Sequence, residues 1–108
     1  MGQKKSIINI LKKFGDKISS SIYLNKMVLF GSFATGKTRK WSDIDLLIVS
    51  KSFKGLRPLD RGLDLYDMWD AKYPVDFLCY TPEEFEKAKK RIGIIRQILK
   101  EGKVIYSS

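Results

Sequence analysis

The sequence contains no histidine and a single cysteine, Cys79. Without histidine, imidazole general bases, Ser-His-Asp triads and histidine-ligated metal centres are all excluded. With one cysteine there is no internal disulfide and no Cys-x-x-Cys pair, which suits a reducing compartment, so a cytoplasmic setting is expected. No run of 18 apolar residues is present, and no membrane-spanning helix is expected. The stretch from Met1 to Lys5 leads into Asn9, Lys12 and Lys13 and not into the apolar core of a signal peptide. Internal repeats and low-complexity tracts are also lacking, and proline occurs only three times. A single domain over residues 1–108 is therefore expected, large enough for one core but not for two.

Acidic side chains are in the minority. Twelve Asp and Glu stand against 21 Lys and Arg, a net charge of +9. Such an excess suits contact with phosphates, nucleic acid or an acidic partner. The lysines are spread along the whole chain, which equally describes a solvated basic surface. The nearest thing to a basic patch in the spacer between the first two strands is Lys37, Arg39 and Lys40, and charge alone does not require a nucleic-acid partner.

What the sequence does have is clear periodicity. Ile7, Leu11, Phe14, Ile18 and Ile22 recur at helical spacing, with Ser6 as the expected N-cap and Gly15 as a weak point. Lys26 to Phe30 and Ile44 to Ser50 are almost wholly apolar, the pattern of strands covered on both faces. A short helical turn is expected near Phe33 to Gly36, and a polar loop from Lys51 to Pro58. A second helix is expected to run to about Lys72, burying Leu59, Leu63, Tyr66, Trp69 and Tyr73. Its row of Asp60, Asp64, Asp67 and Asp70 reads as a solvated face. Val75 to Tyr80 forms a third strand. Thr81-Pro82-Glu83-Glu84 carries a capping box with proline at the first helical position. Phe85, Ala88, Ile92, Ile95 and Leu99 continue at helical spacing, with Gly93 dividing the stretch and Gly102 ending it. Val104 to Tyr106 can add a short edge strand. The expected fold is an α/β (α+β) domain with a small mixed β-sheet covered by helices.

The chemistry concentrates between the first two strands. The run Met27-Val28-Leu29-Phe30 stops at Gly31-Ser32, and ten residues later Asp43 and Asp45 open the next apolar run. Residues i and i+2 of a strand share a face, so Asp43 and Asp45 project together, with Cα atoms roughly 6.5 Å apart. Carboxylates at that spacing suit hard cations, which also relieve their repulsion. Gly31 lets backbone N–H groups approach a phosphate, and Ser32 adds a hydroxyl donor and opens a helical turn. Each half alone has a plainer reading. A Gly-Ser pair after a strand is often only a turn, and Asp-x-Asp can be an Asx turn. The combination between two buried strands is more specific than either.

Gly31, Gly36, Lys37 and Thr38 also satisfy the phosphate-binding P-loop pattern G-x-x-x-x-G-K-[ST]. That loop must open a helix crossing back to a parallel strand, which takes at least ~10–12 residues. Only four residues, Arg39 to Ser42, separate Thr38 from Asp43. A P-loop NTPase is therefore the weaker alternative.

Gly31-Ser32, the ten-residue spacer and Asp43-x-Asp45 resemble the signature of the minimal nucleotidyltransferases, within the DNA polymerase β-like superfamily. Ala34, Gly36 and Ser42 fit that signature too. The family expects a third carboxylate on a later apolar strand, and Val75-Asp76-Phe77-Leu78 supplies one. The resemblance implies that Asp43, Asp45 and Asp76 are catalytic and bind two Mg²⁺ ions. It implies that Gly31 and Ser32 grip the β- and γ-phosphates of ATP, and that AMP passes to a hydroxyl acceptor. Minimal members are often paired with a HEPN-domain toxin that they modify, so an antitoxin-like role with such a partner is implied. A second copy of the chain could instead complete the site. A non-catalytic module that neutralises its partner by contact is the alternative from a different class.

Overall fold

The structure, a computed structural model, describes residues 2–39 and 42–108, with side chains from Ser6 onward. Lys40, one of the three clustered basic residues, lies outside the described residues. Elements follow in the order α1 (Gly2–Ser19), β1 (Lys26–Phe30), α2 (Ser32–Thr35), β2 (Ile44–Val49), α3 (Leu63–Met68), β3 (Val75–Tyr80), α4 (Pro82–Lys89), α5 (Ile94–Glu101) and β4 (Lys103–Ser107). Two 3₁₀ turns, Lys51–Phe53 and Pro58–Asp60, link β2 to α3. The sheet order is β3-β2-β1-β4, with β2 and β3 parallel and the other pairs antiparallel. Among the described residues no helix is long and apolar enough to cross a membrane.

The central strands are buried on both sides, which explains their unbroken apolar runs. On one face, Ile7, Leu11, Phe14 and Ile18 of α1 pack with Met27, Leu29, Ile44, Leu46 and Ile48. On the other, Phe85, Ile95 and Ile98 of α4 and α5 pack with Val28, Leu47 and Val49. α1 begins at Gly2, so Ser6 lies inside the helix and does not cap it. No residue between Gly2 and Ser6 breaks a helix, and the periodic stripe had simply started late. Gly15 leaves α1 unbroken and sits against Met27 and Leu24.

The segment before β3 differs from the expected long helix. Leu59 and Leu63 are 91% and 60% exposed, whereas Leu65 is buried. The cause is Arg61, whose buried guanidinium donates to both carboxylate oxygens of Glu84 and to the carbonyls of Leu56 and Cys79. Turning that side chain inward sets the phase of the segment and turns the leucines out. The helix stops at Met68, and Trp69 donates from Nε1 to the carbonyl of Tyr73. The Tyr66 hydroxyl accepts from the N–H of Phe77 and so covers the outer edge of β3.

The Thr81–Glu84 capping box forms as expected. Beyond it, Gly93 breaks the helical phase, so Ile92 is 92% exposed and Leu99 is not in the core, while Ile95 and Ile98 are. Gly102 lets α5 turn directly into β4. A Cβ there would meet the Leu29 carbonyl at 3.0 Å and Val28 Cγ1 at 2.8 Å.

The Arg61 hydrogen bond, with that of the Thr81 N–H, holds the Glu84 carboxyl below its ordinary pKa against the opposing effect of burial. A depressed carboxyl stabilises the fold above its unfolded pKa, and that contribution is lost as pH falls through the folded value. Glu84→Gln is expected to lower stability by about 1–2 kcal/mol at pH 7, a moderate figure because solvent reaches Glu84. Urea unfolding should show the variant and the parent converging as the pH drops below about 4.

Candidate active site

Gly31 is where β1 ends and the site begins. Its φ is 75° and its ψ −156°, a conformation that side-chain-bearing residues rarely adopt. A Cβ at this position would also collide with the Asp45 carboxylate. The glycine thus serves two purposes: it turns the chain, and it makes room for a carboxylate directly over the backbone. The Gly31 carbonyl accepts from the N–H groups of Ala34 and Thr35 at 3.0 and 3.2 Å, which closes α2 at once. A helix this short leaves the N–H groups of its first residues, Ser32 and Phe33, without intrahelical acceptors. Gly36 closes α2 in the left-handed conformation, with its N–H on the Ser32 carbonyl. Phe33 packs edge-on against Tyr73, ring centroids 6.0 Å apart, and so props α2 on the segment leading into β3. Sequence reasoning placed Tyr73 on a helix stripe and missed this supporting role. An aromatic inside the spacer was the available signal.

Asp45 lies opposite Phe30 across β1 and β2 and opposite Asp76 across β2 and β3. The parallel register therefore sets two aspartates side by side next to the Gly31 turn. Asp43 stands one residue before β2, exposed, and Ile44 between the pair is fully buried, as alternation requires. The start of β2 is fixed by the Ile44 N–H donating to the Pro74 carbonyl at 2.8 Å. Ser42 accepts from the Arg39 N–H at 2.7 Å and shapes the end of the spacer. Lys37 and Arg39 are exposed.

Burial raises the Asp45 pKa above the ordinary carboxylate value, and the charges of Asp76 and Asp43 raise it further. The neighbouring charges that move this group are thus both negative. Oxygen donors of this charge are the kind that hard divalent ions take. Among the described residues no three acidic or thiol side chains stand close enough to form a ready-made metal cage. Mg²⁺ does not need one, since it commonly takes one or two carboxylates and completes its shell with water and substrate phosphates. The residues present fit such an ion. They do not fit a P-loop, because β1 and β2 are antiparallel and α2 is only four residues long.

The Gly31 turn lies beside a carboxylate pair on adjacent strands, and comparison with known proteins defines the class. Residues 7–106 match the nucleotidyltransferase domain family. Two proteins of Methanocaldococcus jannaschii, both bearing the name protein adenylyltransferase, are similar in sequence. One is 33% identical over 108 residues, covering 98% of this chain and all of the relative. The other is 32% identical over 71 residues, covering 64% of this chain and 72% of the relative. A crystal structure of a nucleotidyltransferase from Sulfolobus solfataricus shares the fold with a TM-score of 0.69 at 22% identity, covering 96% of this chain and 83% of that one. A toxin–antitoxin crystal structure with AMP-PNP shares it with a TM-score of 0.56 at 18% identity, covering 90% and 73% of the two chains. The chain belongs to the nucleotidyltransferase family, in its minimal branch.

The raised Asp45 pKa has a direct consequence. An acid whose folded pKa exceeds its unfolded value destabilises the fold at pH above the folded pKa and ceases to do so below the unfolded one. Asp45→Asn is therefore expected to stabilise the metal-free protein at pH 7, by a few tenths to about 1 kcal/mol given partial solvent access. Thermal unfolding should show the gain shrinking as pH falls toward 4 and being offset when Mg²⁺ and ATP bind the parent protein.

Proposed function

We propose that the protein transfers AMP from ATP to a hydroxyl group on a partner protein. The observation that carries this reading is the Asp45 carboxylate lying over Gly31 with Asp76 beside it in register. It brings a turn suited to phosphates and a carboxylate pair to a single point. In this reading Gly31 and Ser32 hold the β- and γ-phosphates through backbone N–H groups and the serine hydroxyl. Asp43, Asp45 and Asp76 hold two Mg²⁺ ions, which supply charge neutralisation on the phosphates and a lowered pKa for the attacking hydroxyl. The acceptor oxygen bonds to the α-phosphorus, and the bond from that phosphorus to the α–β bridging oxygen breaks. Pyrophosphate leaves with the electron pair, and the acceptor's proton leaves toward the exposed Asp76 carboxylate.

The adenylyltransferase names of the sequence relatives support AMP as the transferred group and a protein as its acceptor. The structural likeness to a toxin–antitoxin chain supports pairing with a toxin, for which a HEPN-type protein is the candidate. The open arrangement of the carboxylates favours one other reading, neutralisation of a partner by contact without chemistry.

ATP labelled at the α- or the γ-phosphate separates these readings, with Mg²⁺ and the product of the adjacent gene as acceptor. The α-label is expected on the acceptor and the γ-label in pyrophosphate, with transfer by Asp45→Asn reduced at least 100-fold. Free γ-phosphate would instead indicate an ATPase. Tight binding of the partner with neither label moving would indicate the contact module.

A further inference from the structure

A groove with a volume of about 350 Å³ opens between α4 and the Pro58–Asp60 turn, along the outer part of β3. Its apolar wall includes Leu78 and Tyr80. Both face the α4–α5 side of the sheet, as their packing with Phe85 and Ile95 shows. By strand alternation, Asp76 shares that face, and its Cα is roughly 6.5 Å from that of Leu78. The groove therefore starts one side chain beyond the carboxylate that stands nearest the acceptor in the proposed reaction. Its opposite wall is α4, which leaves the far end of β3 at Thr81 and carries Lys87, while Arg91 follows just past the C-terminal end of that helix and also lines the groove.

The charges along this groove are unequal in what they are free to do. Arg61 and Glu84, which also line it, satisfy each other through two hydrogen bonds. Lys89 pairs with Glu86. Lys87 and Arg91 are exposed, and among the described residues neither has an ion-pair partner. What remains is an apolar slot with two uncommitted cations on its rim.

We propose that this groove seats the acceptor, and that Lys87 and Arg91 select a polypeptide segment carrying Asp or Glu beside its hydroxyl-bearing residue. The inference rests on the AMP-transfer reading and adds the class of substrate. A polypeptide fits better than a nucleic acid for two reasons. The lining holds a single aromatic, Tyr80, whereas single strands bind on successive stacking platforms. The space is also small, at the lower end of ligand pockets, and holds a few side chains and no duplex. Lys87 and Arg91 touch no reacting atom in this arrangement; they are positioning residues.

The test uses two synthetic peptide sets, each containing Ser, Thr or Tyr at the centre, flanked either by glutamates or by lysines. AMP transfer from α-labelled ATP is measured for the full chain and for the double variant Lys87→Glu, Arg91→Glu, both sites being exposed. The parent is expected to prefer the acidic set. The variant should raise KM for that set at least tenfold, hold kcat within about twofold, and prefer the lysine set. A general folding defect cannot reverse a preference. Unchanged KM values, a loss confined to kcat, or labelling of a single-stranded oligonucleotide in place of peptides would overturn the proposal. If Mg-ATP binds and no peptide is labelled, the assay with the partner protein decides whether the transfer reading fails. Fluorescence anisotropy of the same peptides then decides the groove. Salt-sensitive binding of the acidic set that the variant loses supports it, and absence of binding to the parent refutes it.

Discussion

The contact between Asp45 and Gly31 is the constraint around which the site is organised. A carboxylate can lie over the backbone at that point only because residue 31 has no Cβ, and the turn into α2 can form only because its φ is positive. The antiparallel pairing of β1 with β2 sets Phe30 opposite Asp45, so the turn and the carboxylate arrive together. The parallel pairing of β2 with β3 then adds Asp76. Two strand registers and one glycine are enough to assemble the constellation, and the rest of the fold holds those registers in place.

That support is asymmetric. α1 covers one face with a continuous stripe and, through Phe14, stacks on Phe77 at 5.6 Å, which steadies β3 from the side away from Asp76. The opposite face is covered by α4 and α5 and is the face on which Asp45 and Asp76 stand. The destabilising charge of Asp45 is therefore carried by a sheet whose core is otherwise tightly packed. Burial of Asp45 and its repulsion by Asp76 and Asp43 are a cost to the fold, of the kind found where functional residues depart from the most stable sequence.

The elements that were legible in the sequence are those set by local rules. The stripe of α1, the two buried strands, the Thr81 capping box and the break at Gly93 each depend on residues a few positions apart. The misread segment depends on a distant partner. Arg61 turns inward because Glu84 waits across the groove, and nothing near Arg61 in the chain announces it. Leu59 and Leu63 are exposed as a result, although their spacing suggested a buried stripe. Within the site, the residue types and the alternation around Ile44 were readable. The placement of Asp76 beside Asp45 was expected only through the family resemblance, since it requires the parallel register of two strands separated by a helix and two turns. The prop between Phe33 and Tyr73 escaped because it too joins distant parts of the chain.

The proposed function requires one point in the fold, where β1, β2 and β3 meet the Gly31 turn, to bind a metal-complexed triphosphate with its α-phosphorus toward the carboxylates. A crystal structure with Mg²⁺ and an ATP analogue bearing a methylene bridge between the α- and β-phosphates measures this directly. The β- and γ-phosphates are expected against Gly31 and Ser32, and the α-phosphate beside metal bound by Asp43, Asp45 and Asp76 at ~2.0–2.1 Å. Phosphates wrapped by Gly36 to Thr38, with Lys37 on the γ-phosphate and Asp76 remote from any metal, would contradict it.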